Sequence, residues 1–283
     1  MKIKFILSKL KNRVSQLCIQ PDVSNKETIE KTYLQKIADL VPELKYYSNM
    51  DIEHLSRIMM DKDIPNFRKY YHVLSSNDEE VAFLKKNLTL MGSHLFRGNG
   101  WETLNKECLS TFSGFANVRV WCAGCSSGEE VYSVIMSLLD YVPVNAIEIL
   151  ATDYNPEKLD RCRQGVYGPT HLNEVPEKYR KYLVYINTSF TFNQEIKERI
   201  TVKPLNLLFD DYPQGFDLIL CRNVIKFFNE EKIIEVQKKL IQSLKPNGYL
   251  FVGGHDEAND REIIKEPQSF HLRQIGESIY QKV

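Results

Sequence analysis

Residues 118–130 read VRVWCAGCSSGEE, and this stretch decides the fold. Its first part, Val118–Ala123, is a short apolar run rich in residues that favour β-strands. A glycine-containing loop follows, and apolar residues then recur at helical spacing from Glu129 to Tyr141. A strand, a glycine loop and a helix in this order predict the first unit of a parallel α/β sheet.

The same alternation of strands and helices continues towards the C-terminus. The pattern predicts strands at 146–152, 216–221 and 249–252, helices at 156–164 and 230–244, and a turn at Lys245-Pro246-Asn247-Gly248. Residues 168–200 interrupt this rhythm, and three short runs there predict a small antiparallel insert: Val184–Ile186, Phe190–Phe192 and Arg199–Val202. The region from 96 to 283 is therefore predicted to form a doubly wound parallel sheet with a small β insert.

The N-terminal third has a different pattern. Apolar residues at spacings of three to five between residues 27 and 95 predict a small all-helical domain, since no strand-like alternation occurs there. Residues 1–26 precede it as a basic extension, and its first 20 residues carry five basic side chains and no acid. The predicted organisation is thus a basic extension, a helical domain over 27–95 and an α/β domain over 96–283.

The composition is that of an ordinary soluble globular protein. Of the 283 residues, 43% are hydrophobic and 26% are charged, which excludes disordered, collagen-like and disulfide-scaffold classes. The 37 basic and 37 acidic side chains cancel, whereas a protein built to hold nucleic acid is usually basic, so no nucleic-acid partner is predicted. Residues 1–100 hold 16 basic and 12 acidic side chains, against 21 and 25 in the remainder, which suggests two regions with different partners.

The hydropathy pattern and the six cysteines bear on location and metal binding. No window approaches 18 consecutive apolar residues, so no transmembrane segment is predicted. Cysteines scattered through a long chain without a signal peptide are typical of reduced thiols, which predicts a cytoplasmic protein. Cys122 and Cys125 form a CxxC pair, but no second ligand pair with zinc-site spacing follows, so no metal site is predicted.

Four segments of the α/β region place polar residues where parallel strands end, which is where open α/β sheets bind ligands. The glycine loop Gly124–Gly128 leads into Glu129 and Glu130 at a helix start, with neither the GxGxxG nor the P-loop spacing. The other three segments are Thr152-Asp153 after the second strand, Asn206-Leu207 after the insert, and Arg222-Asn223 after the strand at 216–221.

The residue types in these segments indicate the chemistry of the ligand. Two acids where a phosphate would dock favour a cationic ligand, although acids at a helix start also complement the helix dipole. A carboxylate at Asp153 can accept both hydroxyl groups of a ribose, and Asn206 can bond either an adenine edge or its own turn. A nucleoside with a positive charge and no phosphate suggests S-adenosylmethionine.

Five motifs connect these segments to a known family. They are LTLMGSHLFR (88–97), VRVWCAGCSSGEEVYS (118–133), ILATDYNPEKLDRCRQGVY (149–167), FDLILCRNVIKFF (216–228) and LKPNGYLFVGGHDE (244–257). Each motif alone is a weak signal, but all five occur in order and with matching spacing. Together they resemble the CheR family of chemotaxis-receptor glutamate methyltransferases, and the resemblance runs from about Asp63 to Val283.

The resemblance implies a helical N-terminal domain, a Rossmann-like methyltransferase domain with a β-subdomain inserted at about 168–200, and S-adenosylmethionine as cofactor. It implies a protein-glutamate O-methyltransferase acting on a chemoreceptor-like acceptor protein, whose tail peptide the β-subdomain can grip in chemotaxis homologues. By motif, Ser93 and Arg97 would be catalytic, over the methyl and substrate region. The implied cofactor-binding residues are Ser93, Arg97, Gly124, Glu130 at the methionine part, Asp153 at the ribose, Asn206 and Leu207 at the adenine, and Arg222 with Asn223 closing the pocket.

The implied chemistry requires mainly positioning. A glutamate side chain with a pKa near ~4.3 is already ionised at neutral pH, so methyl transfer to its oxygen needs no strong general base. Holding the reactants in line can supply roughly 7–11 kcal/mol of the barrier reduction. A guanidinium binds a carboxylate bidentately, which makes Arg97 the natural partner of the acceptor side chain, with a surface ion pair as the alternative.

The sequence departs from the family pattern in ways that leave two alternatives open. The stretch Asp51–Ile64 has only Arg57 and Lys62 as bases, where chemotaxis members carry an arginine-rich helix that docks on the receptor. One alternative is a CheR-fold scaffold or regulator that binds S-adenosylmethionine with little turnover, and the other is a methyltransferase retargeted to another carboxylate. Four single positions also differ: Phe227 replaces a common aromatic hydroxyl, Met91 an asparagine, Ser93 a threonine and Asp256 a serine.

Overall fold

The computed structural model describes residues 23–42, 44, 50–87, 94–96, 98, 100–253 and 262–283. The described residues from 23 to 44 and from 51 to 87 form one compact unit, and those from 94 to 283 form a second. The predictions made for Ser93 and Arg97 lie outside the described residues, as do those for Met91, Asp256 and the basic residues 1–20.

The first unit is helical, as predicted. Its helices are α1 (Val23–Leu40), α2 (Met50–Asp61), α3 (Phe67–Ser76) and α4 (Asp78–Asn87). The side chain of Asn66 caps α3 by accepting the N–H of Lys69 at 2.9 Å, while Glu30 of α1 accepts the N–H of Phe67 at 3.1 Å. Ile37, Leu74 and other apolar side chains are buried between the helices.

The second unit contains a large and a small sheet with helices between the strands. Its helices are α5 (Gly100–Thr103), α6 (Glu129–Leu138), α7 (Pro156–Gln164), α8 (Pro169–Leu172), α9 (Gln194–Lys197) and α10 (Glu230–Ser243). Its strands are β1 (Val118–Ala123), β2 (Ile147–Asp153), β3 (Val166–Tyr167), β4 (Leu183–Ile186), β5 (Ser189–Phe192), β6 (Ile200–Pro204), β7 (Phe216–Cys221), β8 (Leu244–Val252), β9 (Leu272–Gly276) and β10 (Ile279–Lys282). Among the described helices, none combines the length and apolar character that crossing a bilayer requires.

The large sheet has the strand order β6-β2-β1-β7-β8-β10-β9. Strands β6, β2, β1, β7 and β8 are parallel, while β10 pairs antiparallel with both β8 and β9. The chain winds outward from β1 to β2 and then continues on the other side with β7, so the winding direction reverses between β1 and β7. The predicted doubly wound sheet is confirmed, and a crevice is expected where the carboxyl ends of β1 and β7 diverge.

Both faces of the sheet are covered, which explains why its central strands are apolar throughout. Along β1, Val120 and Cys122 belong to one buried cluster, together with residues of α6 such as Ile135. Trp121 belongs to the cluster on the opposite face, together with residues of α10 such as Val236. The period-two alternation of a strand therefore fixes both helix layers around β1.

The small antiparallel sheet is confirmed, but its predicted membership is partly wrong. It contains β3, β5 and β4 in that order, whereas the run predicted at Arg199–Val202 lies in β6 from Ile200 onwards. Strand β6 pairs in parallel with β2, from Ile149 opposite Ile200 to Asp153 opposite Pro204. As the edge strand of the large sheet it is only partly covered, so its sequence alternates in the way that suggested an antiparallel strand.

The turn predicted at residues 245–248 is also wrong, because these residues lie within β8. They form an irregularity in the pairing with β7: Phe216 lies opposite Leu244, and Leu218 already lies opposite Tyr249. Asn247 has a φ of +62°, a left-handed conformation that asparagine tolerates. The polar residues thus bulge out of a strand that continues on both sides.

Candidate functional site

The glycine loop after β1 is bound to the end of β2. The N–H groups of Gly124 and Cys125 both donate to the carbonyl oxygen of Thr152 at 2.8 Å. Gly124 has a φ of +80°, and a Cβ added there would lie 2.5 Å from Val224 Cγ2. Glycine is therefore required at this position by backbone conformation and by the close approach of the segment after β7.

Asp153 lies at the end of β2 and fastens the same loop. Its Oδ2 accepts the N–H of Ser126 at 2.9 Å, and its Oδ1 accepts the N–H of Asn155 at 2.9 Å. Burial raises the pKa of this carboxyl, and the hydrogen bonds from backbone N–H groups oppose that rise. A carboxylate has about four lone-pair sites, and the backbone N–H groups of Ser126, Asn155 and Tyr154 act on this one, so Asp153 can still accept a hydrogen bond from a ligand hydroxyl.

Glu130 and Arg222, predicted on separate segments, form a partly buried ion pair. Arg222 Nη1 lies 3.2 Å from Glu130 Oε2, and the two side chains are 2% and 18% exposed. The guanidinium carbon of Arg222 also lies 4.2 Å from the ring centroid of Phe251 on β8. The pair joins the start of α6 to the end of β7, on the two sides of the crevice.

Asn223 follows Arg222 and has a φ of +58°. Its amide Nδ2 is buried and has no hydrogen-bond partner among the described residues. A buried polar group without a partner is uncommon and calls for an explanation, which a bound ligand would supply. The left-handed backbone turns the chain at the end of β7, immediately before the 3₁₀ turn Ile225–Phe227.

Asn206 and Leu207 follow β6, close to the end of β2. Leu205 donates its N–H to the carbonyl oxygen of Asp153 at 3.1 Å, which fixes this segment at the crevice. Asn206 Oδ1 accepts the N–H of Leu208 at 2.9 Å, so of the two predicted possibilities the described contacts include the bond to its own turn. The side chain of Leu207 is buried in the cluster that contains Trp121.

The residues between Ser93 and Arg97 are held by the insert and by α6. Glu174, in the insert, accepts from His94 Nδ1 and from the N–H of Leu95, both at 2.8 Å. Phe96 has a φ of +51°, donates its N–H to Ser133 Oγ at 2.8 Å and stacks on Tyr179 at 5.5 Å. The described part of the LTLMGSHLFR motif is therefore fixed on both sides.

Sequence reasoning missed a buried group beside Glu130. Glu129 is 3% exposed, and the hydroxyl of Ser127 lies 2.9 Å from both of its carboxylate oxygens. His171, on α8 of the insert, places Nε2 3.8 Å from Glu129 Oε1. The sequence Ser-Ser-Gly-Glu indicates only the start of a helix. The contact between Glu129 and His171 could not be predicted, because the two residues are 42 positions apart in the sequence.

A second missed residue is Glu262, whose side chain is fully buried. Its carboxylate accepts three backbone N–H groups from the segment that follows Arg222. No spacing or motif marked it, since it lies in a charged stretch that resembles an exposed surface. Phe227, on the 3₁₀ turn of that segment, is also buried at 7% exposure.

Comparisons with known proteins identify the family to which the chain is similar. The family model described as CheR methyltransferase, SAM binding domain, matches residues 91–271. A chemotaxis protein methyltransferase of Listeria monocytogenes is 31% identical over 269 residues, which cover 90% of this chain and 98% of that protein. One from Borreliella burgdorferi is 31% identical, over 72% of this chain and 77% of that protein. One from Escherichia coli is 30% identical, over 82% of each.

The cofactor is S-adenosylmethionine, and the described residues fit it. Glycine at 124 lets the loop after β1 pack directly against Val224, which brings the ends of β1 and β7 close together beside the crevice. The carboxylates of Glu130 and Asp153 suit a cationic ligand with ribose hydroxyls, and the buried Asn223 amide has a hydrogen bond left to donate. No group of three or more metal-binding side chains occurs among the described residues.

Proposed function

Because the chain belongs to the CheR methyltransferase family, we propose that it methylates glutamate side chains of a chemoreceptor-like protein. One observation supports this most strongly. Gly124, Asp153 and Arg222 lie together at the carboxyl ends of the parallel strands, in a chain with all five family motifs. When bound, S-adenosylmethionine would supply a methyl group on a sulfonium for transfer to a carboxylate oxygen, with S-adenosylhomocysteine as the other product.

The protein's own residues hold the two reactants. Asp153 would hold the ribose, Asn206 and Leu207 would flank the adenine, and Asn223 would donate its amide hydrogens inside the pocket. Glu130 would face the positive charge of the methionine part, with its own position held by Arg222. Since a glutamate carboxylate is ionised at neutral pH, none of these residues has to remove a proton from the acceptor.

Ser93 and Arg97 would orient the acceptor carboxylate at the methyl group. The segment between them is fixed by Glu174, Ser133 and Tyr179, which suits residues that must align a reacting atom. Misplacing a reacting group by about 1 Å can cost roughly 100-fold in rate. The two arms of an arginine guanidinium would fit the two oxygens of the acceptor side chain.

The acceptor protein would also dock on the insert. Strand β4 lies at the edge of the small sheet, and Val184, Tyr185 and Ile186 along it are 46%, 57% and 45% exposed. An open edge strand with exposed apolar side chains can bind an extended peptide as an additional strand.

The described cysteines are buried and free, which is compatible with a cytoplasmic location.

The test measures transfer of labelled methyl groups from S-adenosylmethionine to purified chemoreceptor cytoplasmic fragments. We expect base-labile label on glutamate residues, found by mass spectrometry, and an at least 100-fold loss with Arg97→Ala. Arg97→Lys keeps the charge without the bidentate fork and should give an intermediate rate. Label on another carboxylate acceptor and none on receptor fragments would favour the retargeted enzyme.

A second candidate function is binding with little turnover. The residue that favours it is Phe227, which is buried and lies in the segment after Asn223. It carries no hydroxyl at a position where the family commonly has one. Phe227→Tyr restores that hydroxyl. A wild type that binds S-adenosylhomocysteine but transfers no methyl, together with a Phe227→Tyr variant that does transfer, would establish the binding role.

A further inference from the structure

A carboxylate from a distant part of the chain lies under the end of β7. Glu262 is fully buried, and its Oε1 accepts the N–H groups of Val224 at 2.6 Å and Lys226 at 3.1 Å. Its Oε2 accepts the N–H of Asn223 at 2.8 Å. One side chain therefore engages three of the four backbone N–H groups from residue 223 to residue 226.

These N–H groups converge because of the local backbone. Asn223 has a left-handed φ of +58°, and the 3₁₀ turn Ile225–Phe227 follows at once. Successive N–H groups in such turns form a concavity with positive potential, which in other proteins holds anions. In this chain a carboxylate of the protein fills the concavity and compensates those donors.

Glu262 is itself fixed by neighbours on both sides. The buried side chain of Gln237, on α10, donates Nε2–H to the carbonyl oxygen of Glu262 at 2.9 Å. Two residues later, Ile264 is buried and its N–H donates to the hydroxyl of Tyr280 on β10 at 3.1 Å. The carboxylate is thus anchored to elements that lie outside the crevice.

We infer that Glu262 is a positioning residue of the cofactor site. By holding the backbone of residues 223–226, it sets the direction in which Asn223 presents its buried amide and keeps Val224 against Gly124. The inference rests on the proposed function, because it assigns Asn223 to the cofactor. In this role Glu262 acts through the backbone of the segment, to which its carboxylate is bonded, and not by contact with the cofactor or the acceptor.

The chain provides a matched control for this role. Asp217, at the opposite end of β7, is also a buried carboxylate, and it accepts the N–H of Arg119 at 2.8 Å and pairs with Lys245 at 2.7 Å. Glu262→Gln and Asp217→Asn make the same change from carboxylate to amide. Both remove an acceptor oxygen from a backbone donor, so both should reduce stability.

The experiment measures S-adenosylhomocysteine affinity by calorimetry and stability by urea unfolding, on the full-length protein. We expect Glu262→Gln to weaken binding roughly tenfold, which corresponds to one lost hydrogen bond in the site. Asp217→Asn should unfold at a lower urea concentration with unchanged affinity. Equal affinities of the two variants would overturn the inference and leave the proposed function standing, whereas a wild type that binds no S-adenosylhomocysteine would overturn both.

A double-mutant cycle separates positioning from general loosening. If Glu262 acts by aiming the Asn223 side chain, Glu262→Gln should weaken binding roughly tenfold in the wild type and by less than about twofold in an Asn223→Ala background. A purely structural role predicts the same loss of affinity in both backgrounds. Additivity of the two substitutions would therefore reject the positioning role even if the single variant binds weakly.

Discussion

The two strand ends that flank the crevice are held in different ways. At the β1–β2 end, the loop and the strand bind each other directly, through Gly124 to Thr152 and Ser126 to Asp153. At the β7 end, the segment after Arg222 is held by Glu262, a residue 40 positions further along the chain. The hydrogen bonds of the first end are made between neighbouring strands, although Gly124 also packs against Val224, whereas those of the second depend on how the rest of the unit folds.

Breaking the β1–β2 end at Gly124 should have the largest effect. Gly124→Ala combines a left-handed backbone with a Cβ placed 2.5 Å from Val224, so we expect a loss of about 2–5 kcal/mol in unfolding free energy and no measurable S-adenosylhomocysteine binding. Gly114→Ala is the matched control, because Gly114 has a φ of +83° with no atom within 4 Å of an added Cβ. It should lose only about 1–2 kcal/mol and bind normally.

Removing the charge at Asp153 should reduce the affinity for the ligand more than the stability of the fold. Asp153→Asn leaves one acceptor oxygen for the N–H groups of Ser126 and Asn155 and for the ribose, so we expect S-adenosylhomocysteine affinity to fall about 10- to 100-fold. Asp160→Asn removes a charge on the exposed face of α7 and should bind as the wild type does. Equal affinities of the two variants would contradict the assignment of Asp153 to the ribose.

The same residue predicts a pH dependence. Because burial raises the pKa of Asp153, its carboxylate is protonated at a higher pH than an ordinary aspartate. Wild-type affinity for S-adenosylhomocysteine should therefore decrease as the pH is lowered through that raised pKa. In Asp153→Asn this part of the pH dependence should be absent, which calorimetry at several pH values would detect.

The sequence predicts the central strands of the large sheet better than the strands near its edges. Strands β1 and β7 were predicted to the residue because they are buried on both faces and their apolar runs end at glycine or polar residues. Strand β6 was misassigned, and the antiparallel pair β9–β10 was not predicted. These strands lie towards the two edges of the sheet, where exposed positions weaken the apolar pattern.

In the candidate site, residues at strand ends were predictable and their supports were not. Gly124, Asp153 and Arg222 follow recognisable strands, so topology alone places them at one edge. Glu262 and Glu174 bind backbone N–H groups of segments 36 to 79 residues away, and a backbone partner leaves no trace in the sequence. Their burial depends on tertiary packing, which single-residue types do not reveal.

A third segment of the site, which contains His94 and Leu95 and precedes β1, is held by Glu174. Glu174→Gln can accept only one of the two hydrogen bonds from His94 and Leu95, so we expect methyl transfer to fall about tenfold through misplacement of the neighbouring Ser93 and Arg97. Glu177→Gln is the control, since Glu177 is on the same insert, is 82% exposed and pairs with Arg180. Equal rates of the two variants would show that the insert does not position this segment.

The smallest effect is expected at Thr152, whose hydroxyl lies in the core and whose carbonyl oxygen binds the glycine loop. The indole N–H of Trp121 donates to Thr152 Oγ1 at 2.8 Å in the core, while the Thr152 carbonyl holds the glycine loop. Thr152→Val removes the hydroxyl acceptor but keeps the carbonyl, so unfolding free energy should fall by about 1–2 kcal/mol with S-adenosylhomocysteine affinity unchanged. Thr152→Ser keeps the hydroxyl and controls for side-chain size. If Thr152→Val also weakens binding, the loop depends on core packing beneath it, and the β1–β2 end is less self-contained than its hydrogen bonds indicate.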